Sequence, residues 1–313
     1  MYDLPSENPE EPGLPDEFHG LQAQFLSQTC QPETYRADRL FTGRDINLYY
    51  DEDRVHWYKR PDWFLVVGVP RLYEQKDLRA SYVLWQEEVR PLVIVELLSP
   101  GTEDEDLGEN ESEDEAVPSN GASTPVKPPS KWRVYEQILQ VPHYIVFSRY
   151  TNQVRYFQLE EVGDEGKQAY REQILDANNP RIWIPELRLG LGIWEGEYEG
   201  VTRRWLRWYD ADGVWIPSDA ERAQQAVKEK EQAEERAEQA EELARQERLE
   251  REQAEERAEQ AEERARREQL EKEQATQQLQ QIVLNLLRSG LTPEQVATLT
   301  GLSPEQVRQM DEP

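Results

Sequence analysis

The stretch that decides the fold is PLVIVELL, residues 91–98, followed by Ser99-Pro-Gly-Thr102. It is apolar on both faces and carries one acid, Glu96, in its middle. A short run of this kind, closed by Ser-Pro-Gly, reads as a central strand covered on both sides. A similar run, DWFLVVGVP, spans residues 62–70. KWRVYEQILQ, residues 131–140, sets Trp132, Tyr135, Ile138 and Leu139 at helical spacing behind Ser130 as N-cap. His143 to Ser148 and Val154 to Leu159 read as a hairpin turning over Tyr150-Thr-Asn-Gln153, and further short strands follow through Trp205 to Trp208. The order strand, strand, helix, strand, strand predicts an α/β domain: one mixed α+β sheet with helices packed on it.

Around this core the composition changes abruptly. The chain has 313 residues and a net charge of −28, which suggests about two domains at roughly 150 residues each. All nine tryptophans lie between Trp57 and Trp215, and no aromatic residue follows Trp215. A boundary is therefore expected at Pro217-Ser218, giving a folded domain over 21–217. Residues 1–20 hold six acids and no base and read as a disordered acidic tail. Residues 101–130 hold nine acids and one base and read as a disordered insert inside the domain. Residues 219–288 repeat EQAEERAEQAEE at 231–242 and 252–263, a 21-residue period equal to three heptads. Steps of four and three align Ala233, Ala237, Ala240 and Ala244, which predicts one long helix that is either solvated or paired in a coiled-coil homodimer. Residues 289–313 carry two capping-box starts, Thr292-Pro-Glu-Gln295 and Ser303-Pro-Glu-Gln306, and form a small helix-turn-helix-like unit. With Arg308 its lone base in the second helix, this unit reads as a helix pair that caps or binds a partner, in preference to one that reads DNA.

Several function classes are disfavoured. No apolar run approaches the ~18–20 residues of a membrane span. The acidic N-terminal stretch lacks a signal-peptide pattern, and Cys30 is the single cysteine, so a cytoplasmic, disulfide-free protein is expected. No Cys/His cluster suggests zinc.

Chemistry concentrates at Glu96. A carboxylate inside an apolar strand costs several kcal/mol unless it is paired, protonated or metal-bound. A structural ion pair and a functional site are both open from this residue alone. Asp62, at the start of the other apolar strand, and Lys131, opening the helix, are each weak signals alone. Together, two acids on neighbouring strands and a lysine suffice for phosphodiester hydrolysis with Mg²⁺: the metal neutralises phosphate and acidifies a water, and the lysine orients that water or stabilises the transition state.

Three ordered motifs carry a resemblance: Trp57-Tyr-Lys-Arg-Pro-Asp-Trp63, Val95-Glu-Leu-Leu-Ser-Pro-Gly-Thr102, and Lys131-Trp-Arg-Val-Tyr135 with Val141-Pro-His-Tyr144. Over roughly residues 35–217 the sequence resembles the Uma-type restriction endonucleases of the PD-(D/E)XK superfamily. The resemblance implies a restriction-endonuclease-like core, a four-stranded mixed sheet flanked by helices, and a nuclease acting on DNA that depends on Mg²⁺, with Mn²⁺ as substitute. It implies Asp62 and Glu96 as metal ligands, with the backbone carbonyl of Leu97 as an extra one. A strict pattern would put lysine at position 98, where this chain has Leu98. The Uma-type pattern moves the lysine to the next helix, making Lys131 the catalytic candidate. Asp106, in Asp106-Leu-Gly108, and Tyr135 are secondary candidates. The alternative is a catalytically silent scaffold of the same fold that recruits partners through the long helix. The acidity does not exclude DNA: the two acidic segments and residues 219–313 carry −24, leaving only −4 for the rest.

Overall fold

Val93–Leu97 is buried along its whole length and lies within a six-stranded sheet. The computed structural model describes residues 16–99, 103–108, 127–163 and 166–311. In chain order, helix α1 (Glu17–Thr29) precedes β1 (Leu40–Arg44), β2 (Leu48–Tyr49), β3 (Tyr58–Lys59), β4 (Trp63–Val67), β5 (Tyr82–Val83), α2 (Leu84–Glu87) and β6 (Val93–Leu97). Then come α3 (Glu103–Asp106), α4 (Lys131–Arg133) running into a π-helical turn (Val134–Ile138), β7 (His143–Phe147), β8 (Val154–Val162) and β9 (Lys167–Gln173). β10 (Arg181–Ile184), β11 (Leu189–Tyr198) and β12 (Val201–Tyr209) follow.

The main sheet has the order β1-β4-β6-β7-β8-β9. Only β6 and β7 pair in parallel; the other neighbours are antiparallel. A parallel pair needs a crossover, and α3 and α4 lie in it. The alternation of side chains sorts the core into two layers. Trp63, Leu65, Val93, Val95, Leu97, Ile145 and Phe147 face α1 and the strands β10–β12. Phe64, Val66, Ile94, Tyr144 and Val146 face the α4 side, with Val134, Tyr135 and Leu139.

The mixed α/β class is observed, with four differences from the sequence reading. The expected four-stranded sheet is the middle of six, because β1 and β9 extend it on either edge. The C-terminal strands form their own sheet, β10-β11-β12, and are long, up to ten residues in β11. That strand reads poorly because of its glycines, Gly190, Gly192 and Gly196. The first of them is required by packing: a Cβ at Gly190 would lie 1.9 Å from the ring of its cross-strand partner Tyr209. Third, the acidic tail was expected to reach residue 20, but α1 begins at Glu17 with Asp16 as its cap. Residues 1–15 lie outside the described residues, as do 109–126 of the acidic insert. Within that insert, Glu103–Asp106 is a helical turn whose last residue is buried, not loop.

The chain forms two units, 1–225 and 226–313. The long helix Asp219–Arg288 starts in the first, where Arg207 pairs with Glu221 at 2.5 Å, and the units part after Gln225. Between Val227 and Leu270 its side chains are exposed, and Arg267–Glu263 is an i,i+4 pair at 2.8 Å. In the second unit, Val283 packs with Val296, Ala297 and Val307 of the helices Pro293–Thr300 and Pro304–Asp311. The Thr292–Gln295 and Ser303–Gln306 capping boxes both form. Among the described residues, no helix is long and apolar enough to cross a membrane.

Gly190→Ala is expected to cost about 1–3 kcal/mol, because the nearly buried Tyr209 ring, tied to the Ile182 carbonyl, must be displaced. Urea unfolding followed by tryptophan fluorescence measures it.

Candidate active site

The strand register brings the two sequence-predicted acids face to face. β4 and β6 pair antiparallel as Trp63↔Val95 and Phe64↔Ile94. One step further along this ladder sets Asp62 opposite Glu96. Strand alternation puts both on the α4 side, the side of Phe64 and Ile94. Like charges directly opposite in a sheet destabilise it, so this arrangement needs compensation.

Compensation comes from three directions. The Leu97 N–H donates to Asp62 Oδ2 at 2.7 Å, and the Asp62 N–H reaches Glu96 Oε2 at 3.4 Å. The Tyr135 hydroxyl donates to Glu96 Oε1 at 2.8 Å. The Lys131 ammonium lies 3.4 Å from Glu96 Oε2 and 2.8 Å from Asp106 Oδ1. Lys131 and Tyr135 reach one carboxylate because they stand one turn apart. The Ser130 hydroxyl caps that helix by accepting from the Arg133 N–H. Glu96 is fully buried and Asp106 is 1% exposed.

Asp106 arrives through α3. Its carbonyl accepts from the Tyr144 hydroxyl at 2.8 Å, and Lys59 pairs with Glu105 at 3.3 Å. Gly108 closes the turn at φ +72°, where a Cβ would meet the Trp132 ring at 2.7 Å. The Asp-Leu-Gly motif is thus a buried acid followed by the residue that lets α3 lie against α4. Leu98 is the position where a strict motif has lysine. Its N–H continues the ladder to Phe147, and the ammonium comes from α4 instead.

Protonation follows from burial and crowding. Burial raises Asp62 above the usual carboxylate range; the charges of His19 and Lys131 and the Leu97 N–H pull it back without cancelling the rise. Glu96 is pushed up to about 7, first by burial and then by Asp62, against the opposing pull of Lys131 and the Tyr135 hydroxyl. Lys131 is raised: burial works against its charge, but Glu96, Asp106 and Asp62 outweigh it. Burial and Glu96 keep Tyr135 a neutral donor. The cluster holds more carboxylate than its one ammonium can neutralise.

A family model, Uma2, described as "Putative restriction endonuclease", matches residues 1–194. The chain belongs to the Uma2 family. The match takes in α3, β6, α4 with its π-helical turn, and the residue before β4, and so every candidate site residue. A search of curated proteins finds no match. Uma2 membership places the chain among nucleases by description.

All six sequence candidates converge: Asp62, Glu96, Lys131, Asp106 and Tyr135 through side chains, and Leu97 through its backbone. Among the described residues, no group of three or more His, Cys, Asp and Glu side chains is arranged to hold a metal. One residue was missed. His19, assigned by sequence to the tail, sits on α1 with Nε2 3.0 Å from the Leu97 carbonyl oxygen. A helix start was legible in Asp16 followed three residues later by a polar side chain, but its target is a backbone atom with no sequence signal. A cleft of about 580 Å³, lined by Asp16, His19, Gln24, Arg44 and Asp45 among others, opens beside Asp62. The other two histidines contribute no site atoms. His143 stands at the start of β7 between Tyr156 and Glu186, and His56 is exposed. Cys30 is buried, and burial raises its thiol, so it is inert.

The raised Glu96 has a consequence for stability. The native state holds this proton more tightly than the unfolded chain, whose glutamate titrates near 4.5. Without divalent cations, stability should therefore fall as pH rises from about 4.5 to about 7 and level off above. The loss is on the order of 3 kcal/mol at about 1.4 kcal/mol per pKa unit. Glu96→Gln should flatten this dependence and raise Tm at pH 8, with little change at pH 4. Calorimetric melts across pH check it.

Proposed function

We propose that the chain is a metal-dependent endodeoxyribonuclease that hydrolyses DNA phosphodiester bonds at the Asp62–Glu96–Lys131 site. What supports it above all is that a lysine and three acids, distant in sequence, meet within ion-pair and hydrogen-bond distance in a Uma2 core. The donors available to a cation are the carboxylates of Asp62 and Glu96 and the carbonyl of Leu97. They are hard oxygens throughout, a set that fits Mg²⁺, with Mn²⁺ as substitute, and not zinc. The net excess of carboxylate is the charge such a cation would balance.

When bound, Mg²⁺ supplies charge neutralisation at the phosphate and a more acidic water. The remaining work falls to the chain. Asp62 and Glu96 hold the cation, and Tyr135 fixes one oxygen of Glu96. Lys131 has three N–H bonds. Asp106 takes one and Glu96 lies in ion-pair range, and among the described residues a further N–H remains to donate to a phosphate oxygen or to the attacking water. Asp106 aims Lys131 and keeps it protonated.

In this reading residues 21–217 are the nuclease domain. The long helix 219–288 pairs two copies along its alanine seam, and 289–313 caps it. Alanine buries little area, so the dimer should be weak. Sedimentation should show a concentration-dependent dimer for the full chain and a monomer for a chain ending at 225.

Asp62→Ala and Glu96→Ala should each abolish Mg²⁺-supported cleavage of duplex DNA. Lys131→Ala should lower turnover roughly 10²–10³-fold, the typical worth of one transition-state donor, while Mg²⁺ affinity is retained, since lysine is no metal ligand. Plasmid cleavage with parallel Mg²⁺ titration separates the two effects. Cleavage by both acid variants would contradict the reading.

A further inference from the structure

We propose that His19, oriented by Asp16, is a positioning residue of this site, contributed by the N-terminal helix. The proposal rests on the metal-dependent reading above and adds a residue to it. Its basis is geometric. His19 is 8% exposed, and both its ring nitrogens are engaged: Nδ1 lies 2.7 Å from Asp16 Oδ1 and Nε2 lies 3.0 Å from the Leu97 carbonyl oxygen. Asp16 is itself held, because its other oxygen pairs with Arg149 at 2.6 Å. The result is a directed chain, Arg149 to Asp16 to His19 to Leu97, that ends on a candidate metal ligand.

The His19 position does not depend on its contact with Leu97. The backbone N–H of His19 donates to Asp16, so the residue is part of the helix cap. Next to it, Phe18 stacks on Trp205 and sits under the guanidinium groups of Arg149 and Arg203. One turn on, the Gln22 amide exchanges two hydrogen bonds with the backbone of Leu206. The helix is thereby fixed to β12, and the imidazole is presented to the end of β6 at a set position.

At that end Leu97 is gripped twice. Its N–H donates to Asp62 and its carbonyl accepts from His19. A carbonyl oxygen has two lone pairs, so the hydrogen bond from His19 leaves one for a cation while fixing the plane in which it points. Partners of this kind set ligand orientation, and their loss typically weakens metal binding about 10–100-fold. The imidazole also lines a cleft to which Asp62 contributes.

The test is Mg²⁺ titration calorimetry on the full chain, with melting temperatures recorded for each protein. His19→Ala should weaken Mg²⁺ binding about tenfold or more. His19→Gln, whose amide N–H can reach the same carbonyl, should restore most of the affinity. Asp16→Asn keeps a competent N-cap but loosens the ring, and should give an intermediate loss without a fall in Tm. Should His19→Ala fail to fold, Asp16→Asn decides the question, and unchanged affinity there overturns the proposal. Wild-type affinity in folded His19→Ala overturns it too, as does a loss in both His19 variants that merely follows Tm. Glu96→Gln is the control: if it binds Mg²⁺ as well as wild type, the metal reading falls and the role of His19 with it. If Glu96→Gln loses binding and His19→Ala does not, the His19 role alone is wrong.

Discussion

A carboxylate buried in the middle of a sheet, opposite a second carboxylate, is the constraint from which the rest of the site follows. Glu96 is fully buried, and the β4–β6 register sets Asp62 across from it. Glu96 cannot be left alone at that depth, nor can Asp62, partly buried beside it. Tyr135 takes one oxygen of Glu96, Lys131 approaches the other, and the backbone of Leu97 takes Asp62. Even so, both acids stay above their ordinary range, so the compensation is incomplete. Sites that are more stable when a functional group is neutralised mark where activity has been kept at a cost in stability.

The topology explains how such a pair is built. One parallel step in an otherwise antiparallel sheet demands a crossover between β6 and β7, and that crossover carries α3 and α4. The same connection therefore supplies the lysine, the tyrosine and the third acid to the strand it has just left. The opposite layer is sealed by α1, whose buried face includes the polar residues His19 and Gln22 among its apolar ones. Each of these reaches a distant backbone group, Gln22 to anchor the helix and His19 to meet the end of β6. Elements from both faces thus meet at Leu97.

Much of this was legible in the sequence. An acid within VIVEL, an acid after Pro61 and a lysine after Ser130 are local signals, and strand alternation puts the first two on one face. The hairpin at Tyr150-Thr-Asn-Gln153 and the two Pro-started capping boxes rest on equally local chemistry, and all three form. Where the reading fell short, the signal was non-local or masked. Asp106 is a secondary candidate of the sequence, but it lies among nine acids between residues 101 and 130 whose composition reads as loop, which hid the helical turn Glu103–Asp106. His19 bonds a backbone carbonyl 78 positions away, which leaves no trace in residue type. The strand β11 is hidden by glycines whose reason is the Tyr209 ring on the next strand. The charge of −28 is likewise a property of segments: the folded core carries little of it.

The central claim is that the Glu96 carboxylate is held ready for a cation. Its ionisation is directly observable by carboxyl ¹³C NMR on glutamate-labelled protein, titrated with and without saturating Mg²⁺. Glu96 should titrate near 7 in the absence of divalent ions and drop well below the ordinary glutamate range when Mg²⁺ is present. A Glu96 titration that Mg²⁺ leaves unmoved would contradict the account.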